Sequence, residues 1–278
     1  MSFVGGNVIF SRIFGKTLLQ FDPEFDILNR QKPKTEERRF SYMATELTPN
    51  EGKKGVTVID GVSYQRLPIK THLITKDDDI VEVAYQYGAP VLTEKDDVLF
   101  ISEKCVACSQ GRAIPLADIH PRKLAVWLSN YVTKTPHGIG LGMPETMEMA
   151  LQEVGAPRIL FAAAVSVIGK KIFRKKGWFY AVAGYKARSI DGPCHNTIPP
   201  YNHYVVLGPE KPDEVAKQCA EKLGYRVIIV DINDLEGQIL GTSDPSMDRD
   251  LYVKILKDNP LGQDNQQTPM GVIRTVTE

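Results

Sequence analysis

The sequence predicts an α/β (α+β) fold, a mixed β-sheet with flanking helices, and three observations carry that prediction. Strand-like and helix-like stretches interleave from Val56 onward without the regular strand–helix–strand rhythm of a fully parallel sheet. Two apolar runs, VLFIS from Val98 and VIIV from Val227, show no alternation and read as strands buried on both faces. VTVIDGVSYQRL has the alternation of a hairpin, with Asp60-Gly61 supplying the left-handed turn.

The elements follow in order. The acidic run Asp77 to Asp79 caps a helix through Val81 to Tyr87. Lys95-Asp96-Asp97 is a turn before the VLFIS strand, and EKCVACSQGRAIPL leads on to a helix from about Pro121, a suitable first helical position. ETMEMALQEV is a second helix, ended by Gly155. RILFAAAVSVI and GWFYAVAG are expected to be strands around the basic turn GKKIFRKKG. PEKPDEVAKQCAEKLG has Pro at its start and Gly224 past its end, and feeds the VIIV strand. YVKILKD is a helix, NPLGQDNQQTP a polar loop and MGVIRTV a closing strand.

Length and composition bound the function. The 278 residues suit one large domain or two small ones. Lys+Arg and Asp+Glu both number 34, so no global field favours nucleic acid or an anionic membrane. No apolar run reaches the roughly 18 residues a membrane helix needs. Cysteines 105, 108, 194 and 219 do not form the framework of a secreted disulfide scaffold. A cytoplasmic protein with neither nucleic-acid nor membrane partners is expected. Residues 1–55 differ in texture from the rest and are expected to be an extension to a domain at 56–278. Gly15-Lys16-Thr17 ends like a phosphate loop, but Phe10 stands where that loop needs its first glycine.

Candidate chemistry narrows to oxygen donors. Cys105-x-x-Cys108 lacks a second pair at metal spacing, so no structural zinc is expected. His195 and His203 lie in a proline-rich loop without an identifiable orienting group, and neither G-x-S-x-G nor H-E-x-x-H occurs. Asp231, delivered by the end of a buried strand, stands where ligands and metals gather in α/β sheets. Asp231 and Asp234 could also simply start a turn. Asp191 in SIDGP and Gln263 in a loop after Gly262 complete a set of hard donors suited to magnesium or manganese. Lys104 and Arg112 flank one loop and could meet phosphates.

Several of these segments, in order, resemble the coenzyme F-420 gamma-glutamyl ligases. LPIKTHLITKDDDI stands where that family has an I-P turn followed by G-D-D-L. DDVLFISEKCVACSQGR resembles its G-D-V-V-V-V-T-Q-K-I-V-S-K-A-E-G-R, AVAGYKARSIDGP its A-N-A-G-V-D-R-S-N, and IIVDIND its I-I-T-D-T-F-G. GQDNQQTPMGVIR resembles the closing G-Q-A-D-E-G-V-P-V-V-L-V-R, and the likeness spans residues 60 to 275. The resemblance implies a GTP-dependent ligase with two divalent ions, Mn2+ or Mg2+, and K+ as a further cofactor. It implies that an acceptor carboxylate is phosphorylated and then attacked by the amine of L-glutamate, in a homodimer. Carried over, Asp191, Asp231 and Gln263 bind metal, and Lys104 and Asp231 serve catalysis. Leu67, Pro68, Ile69 and Lys70 form a nucleotide-contacting turn, joined by Glu103, Lys104, Gly262 and Gln263. The family's A-G-V-D aspartate falls on Lys186 without a gap and on Asp191 with a shift of five. Ile232 replaces a threonine, and Cys108 a basic residue. Glutamylation of a folate or pterin, or binding without turnover, stand as alternatives.

Overall fold

Asp60 and Gly61, with φ of 50° and 83°, reverse the chain between β1 (Val56–Ile59) and β2 (Val62–Ile69). Asp-Gly makes this turn because both positions need positive φ. The computed structural model describes residues 47–132, 140–171, 177–233, 237–262 and 266–276. All belong to a unit formed by residues 43–278. The phosphate-loop decoy, most of the N-terminal extension, the middle of the basic turn (172–176), Asp234 and Gln263 therefore lie outside the described residues.

After β2 come α1 (Ile80–Gly88), β3 (Val98–Ser102), α2 (Glu103–Ser109), β4 (Ala113–Pro115), α3 (Lys123–Ser129) and α4 (Pro144–Val154). Next are α5 (Ala156–Lys171), α6 (Trp178–Ala183), α7 (Tyr185–Arg188), β5 (Tyr204–Val206) and α8 (Pro212–Leu223). The chain closes with β6 (Arg226–Ile232), β7 (Gly237–Thr242), α9 (Arg249–Ile255) and β8 (Met270–Val276). Local chemistry sets the ends of these elements. Asp79 caps α1 by accepting from the Val81 amide at 2.8 Å, and Gly224 ends α8 in the left-handed region.

Six strands form one sheet in the order β1-β2-β8-β3-β6-β7, with β3 and β6 parallel and the other neighbours antiparallel. The last strand thus inserts in the middle. Gly271 makes that insertion fit, since a Cβ there would meet the Phe100 ring at 2.6 Å and the Leu67 carbonyl at 2.8 Å. Both faces of the central strands β3 and β6 are covered. Leu99, Ile101, Val227 and Ile229 face a core shared with α1 and α8, whereas Phe100, Ile228 and Val230 face one shared with α9. Burial on both faces is why these strands lack alternation. A separate core unites α3 to α7 with β5, which pairs with β4 in a two-stranded sheet.

The mixed α/β expectation holds, with one correction and four omissions. RILFAAAVSVI and GWFYAVAG are not strands: they lie in α5 and α6, a packed helical pair. Three consecutive alanines, Ala162 to Ala164, favour helix, and an apolar run of this length exceeds an ordinary strand. Gly169 allows the pair to close, because a Cβ there would strike the Trp178 ring at 2.8 Å. The helices α2 and α7, the strand β7 and the short pair β4–β5 have no counterpart in the sequence reading.

Candidate active site

Strand direction gathers the site. Ile69 on β2 and Ile101 on β3 both pair with Met270 on β8, so β2 and β3 end together where β8 begins. Parallel pairing of Ser102 with Val230 brings the end of β6 to the same level. One residue beyond that pair come Glu103 and Asp231. Lys70, just past β2, and Gly262, in the loop before β8, belong to this same end of the sheet, where α/β proteins hold ligands. The loop is tied down by the Asn259 side chain, which donates to the Gly262 carbonyl at 2.9 Å. The Thr71 amide likewise donates to the Gln267 carbonyl at 3.2 Å. Leu67 and Pro68 remain within β2, paired with Val272 and Gly271, and Ile69 is buried in the core.

At the centre is a lysine held between acids. Ser102 caps α2 by accepting from the Lys104 amide at 3.3 Å, which fixes Glu103 and Lys104 at the helix start. Glu103 is buried; one carboxylate oxygen takes the Lys104 ammonium at 2.8 Å and the other takes the Tyr185 hydroxyl at 2.8 Å. Lys104 also reaches Asp191 at 2.5 Å and the Ser189 carbonyl at 3.5 Å. Asp191 is placed by paired backbone bonds with Val206, both 2.9 Å. Burial lowers the Lys104 pKa, but Asp191 and Glu103 outweigh it and hold the ammonium above its ordinary range.

Asp231 stands beside this cluster, its backbone paired with Gln238 on β7. Burial, then the charges of Glu103 and Asp191, push its carboxyl up to about 6 against the pull of Lys104 and Arg188. Burial and the Glu103 charge raise Tyr185 as well. Glu103 and Asp191 thus share one lysine while Asp231 feels the charge of both acids, a crowding that a cation would relieve. Among the described residues no group of three or more His, Cys, Asp or Glu is arranged around a common ion position. A cleft of about 470 Å³, lined in part by Tyr185, Ser189, Gln238 and Arg249, adjoins the cluster.

The remaining candidates separate. The Arg112 guanidinium is engaged by the Gly208 carbonyl at 2.6 Å, Glu153 at 2.6 Å and Glu210 at 3.2 Å, and so staples the fold. Lys186 lies 3.9 Å from Glu153, whereas Asp191 touches Lys104. Cys105, Cys108 and Cys219 are buried free thiols, and burial pushes Cys108 up to about 11. Tyr185, Arg188 and Ser189 went unread in the sequence, although all three stand in the AVAGYKARSIDGP segment.

The model of the F420-0:Gamma-glutamyl ligase family matches residues 68–247, more than half of the chain. The chain belongs to that family. The gamma-glutamyl ligase match contains Glu103, Lys104, Asp191 and Asp231, and stops short of Gly262. No curated protein matches the sequence.

Proposed function

We propose that this gamma-glutamyl ligase family member joins L-glutamate through an amide bond to a carboxylate of an F420-type cofactor, using a divalent ion and a nucleoside triphosphate, GTP before ATP. The observation that carries the reading is the cluster of Glu103, Lys104, Asp191 and Asp231 at the strand ends, inside the family match. The donors fit a hard ion: Asp191 and Asp231 offer carboxylate oxygens and Gln263 an amide oxygen, and the repulsion between the acids is lower with a cation among them. Mn2+ or Mg2+ would be held by Asp231 and Asp191, with Gln263 as a third donor and K+ as a further ion. Bound there, the ion would neutralise phosphate charge as it is transferred.

The side chains then have distinct tasks. Asp231 must be ionised to hold the ion. Lys104 presents a permanently charged ammonium to an incoming phosphate, oriented by Glu103 and Asp191. Tyr185 orients Glu103 by donating to its second oxygen. The cleft beside Tyr185 offers room for the acceptor next to the charged centre. The protein would act in the cytoplasm as a homodimer.

The test is glutamate-dependent phosphate release from GTP or ATP with an F420-type acceptor, and mass detection of the glutamyl-extended product. Release without extension refutes amide formation, and extension only of a folate or pterin moves the acceptor. Binding without turnover is the second reading. The buried, uncharged Cys108, standing where a basic residue is expected beside phosphates, favours it. Nucleotide binding with no product from any acceptor would support it.

A further inference from the structure

The two edges of the six-stranded sheet differ. β7 is covered: α8 and α9 pack on it, and a Cβ on its Gly241 would meet the Pro212 backbone at 2.3 Å. β1 is open. It carries none of the devices that blunt an exposed edge, since VTVI has no charge and no proline and pairs with β2 without a bulge. The Asp60-Gly61 turn makes Ile59 and Val62 a hydrogen-bonded pair, and the ladder then alternates, so Thr57 bonds to β2 as well. The Arg66 amide donates to the Gly55 carbonyl at 2.7 Å and continues that alternation. The N–H and C=O of Val56 and Val58 therefore point away from the sheet, and among the described residues no hydrogen bond reaches them. Their side chains, exposed at 46% and 61%, share one face with Val276 at 37%. This edge precedes the family match, which begins at residue 68.

Register and charge select the occupant. An added antiparallel strand must set its free bonding groups against those of Val56 and Val58, so its register can move only in steps of two. A second copy of β1 meets this condition when the pair is centred on Thr57. Val56 then exchanges both hydrogen bonds with the partner's Val58, and Val58 does so with the partner's Val56. Thr57 meets the partner's Thr57 on the two-fold axis as a non-hydrogen-bonded pair. Four valines come together on one face, a favourable cross-strand arrangement. The same register sets exposed Lys54 opposite the partner's Asp60, and exposed Asp60 opposite the partner's Lys54. A step of two in either direction loses both charge pairs, setting Lys54 beside the partner's Val58 or the partner's Val62. One register thus satisfies the bonding groups, the valines and the charges together, and it is self-complementary.

We propose that β1 pairs antiparallel with β1 of a second copy, centred on Thr57, and joins the two sheets into one across a two-fold axis. The homodimer of the proposed function thereby gains a defined interface, independent of the ligase chemistry. The experiment is sedimentation equilibrium of the full chain over a concentration series, in which wild type should be a dimer. Val58→Pro removes an outward N–H and leaves the bonds between β1 and β2 in place, a substitution that edge strands tolerate. It should weaken the dimer by about tenfold or more, because symmetry doubles the loss to two hydrogen bonds. Val58→Lys should weaken it similarly, by setting a charge among the valines. An unchanged circular dichroism spectrum would show each fold intact. Register is read by Thr57→Cys in a Cys194→Ser background, which removes the exposed native thiol. Residues in a non-hydrogen-bonded pair stand about 4.5 Å apart at Cα, within disulfide reach, so mild oxidation should link the two copies. The proposal is overturned if wild type is monomeric throughout, which leaves the edge to a strand of another protein. It is equally overturned if both Val58 variants dimerise like wild type, which moves the homodimer to another face, or if Thr57→Cys does not cross-link.

Discussion

The candidate site has two halves built on different foundations. Glu103 and Asp231 leave neighbouring strands whose parallel register is set over five residue pairs, from Val98 with Arg226 to Ser102 with Val230. Tyr185, Ser189 and Asp191 sit instead on the four-residue helix α7 and the chain after it, held by a single backbone bridge to Val206. The sheet half is anchored by a core buried on both faces and cannot shift without breaking it. The α7 half rests on the helical core and meets the sheet half through three links, Tyr185 to Glu103, Asp191 to Lys104 and the Ser189 carbonyl to Lys104. Position is therefore fixed by the sheet, and closure by those links.

The strongest way to break this division is Asp231→Asn. It removes the charge that would hold an ion on the rigid half while nearly preserving shape. Glutamate-dependent phosphate release should fall by about 10²-fold or more, because positioning and neutralisation of the phosphates carry this chemistry. Thermal stability should hold or rise, as the carboxylate is repelled by Glu103 and Asp191. Undiminished turnover would remove Asp231 from the mechanism.

Lys104→Met tests the junction itself. Glu103, 3% exposed, would lose its cation and keep only the Tyr185 hydroxyl. Breaking a fully buried pair costs about 3–5 kcal/mol; with Lys104 at 34% exposure, about 2–3 kcal/mol is expected in chemical denaturation. Asp191, at 58% exposure, should contribute under about 1 kcal/mol through the same lysine, so Asp191→Asn should cost activity more than stability. Equal losses in the two variants would mean that the α7 half is as deeply anchored as the sheet half.

This contrast also explains what the sequence disclosed. The hairpin at Asp60-Gly61, the caps at Asp79 and Gly224 and the VLFIS and VIIV strands are local signals, and each is found in place. Asp231 is legible for the same reason, since a polar residue ending a buried strand is a pattern in the chain itself. Tyr185 and Ser189 carry no such pattern. Their role arises from the packing of α7 against Glu103, distant in sequence. RILFAAAVSVI misleads because α5 is apolar around most of its circumference, leaving no helical periodicity to see. Burial there is set by packing against α6 and α4.

A third test uses pH with the ion chelated. Asp231 has a folded pKa of about 6 and an ordinary value of 3.8, so the folded state holds the proton more tightly. Stability from this group is greatest below the lower value and is lost as pH rises from about 4 to about 6. The loss should be of order 1–2 kcal/mol, discounted for water reaching part of the side chain. Asp231→Asn should erase it, and melting curves of both proteins across that window measure the difference. A wild type whose stability relative to the variant rises through the window would invert the assigned shift.

The gentlest probe is Tyr185→Phe, which severs one link and changes nothing else in shape. The Glu103 oxygen that accepts the tyrosine hydroxyl at 2.8 Å is buried, with the ammonium of Lys104 on the other oxygen. Removing a donor to a charged group costs about 1–2 kcal/mol, of which part is recovered because the phenol no longer needs a partner. A net loss of about 1 kcal/mol in denaturant midpoint is expected, with the slope unchanged. Glu103 would also be freer to turn, so Lys104 would be less firmly aimed and turnover should fall severalfold while nucleotide affinity changes little. The same stability loss from Tyr185→Phe in a Glu103→Gln background would show the hydroxyl acting elsewhere, because a neutral amide accepts a much weaker bond. Near-additivity would detach Tyr185 from Glu103; strong non-additivity would fix the link as the point where the α7 half closes on the sheet.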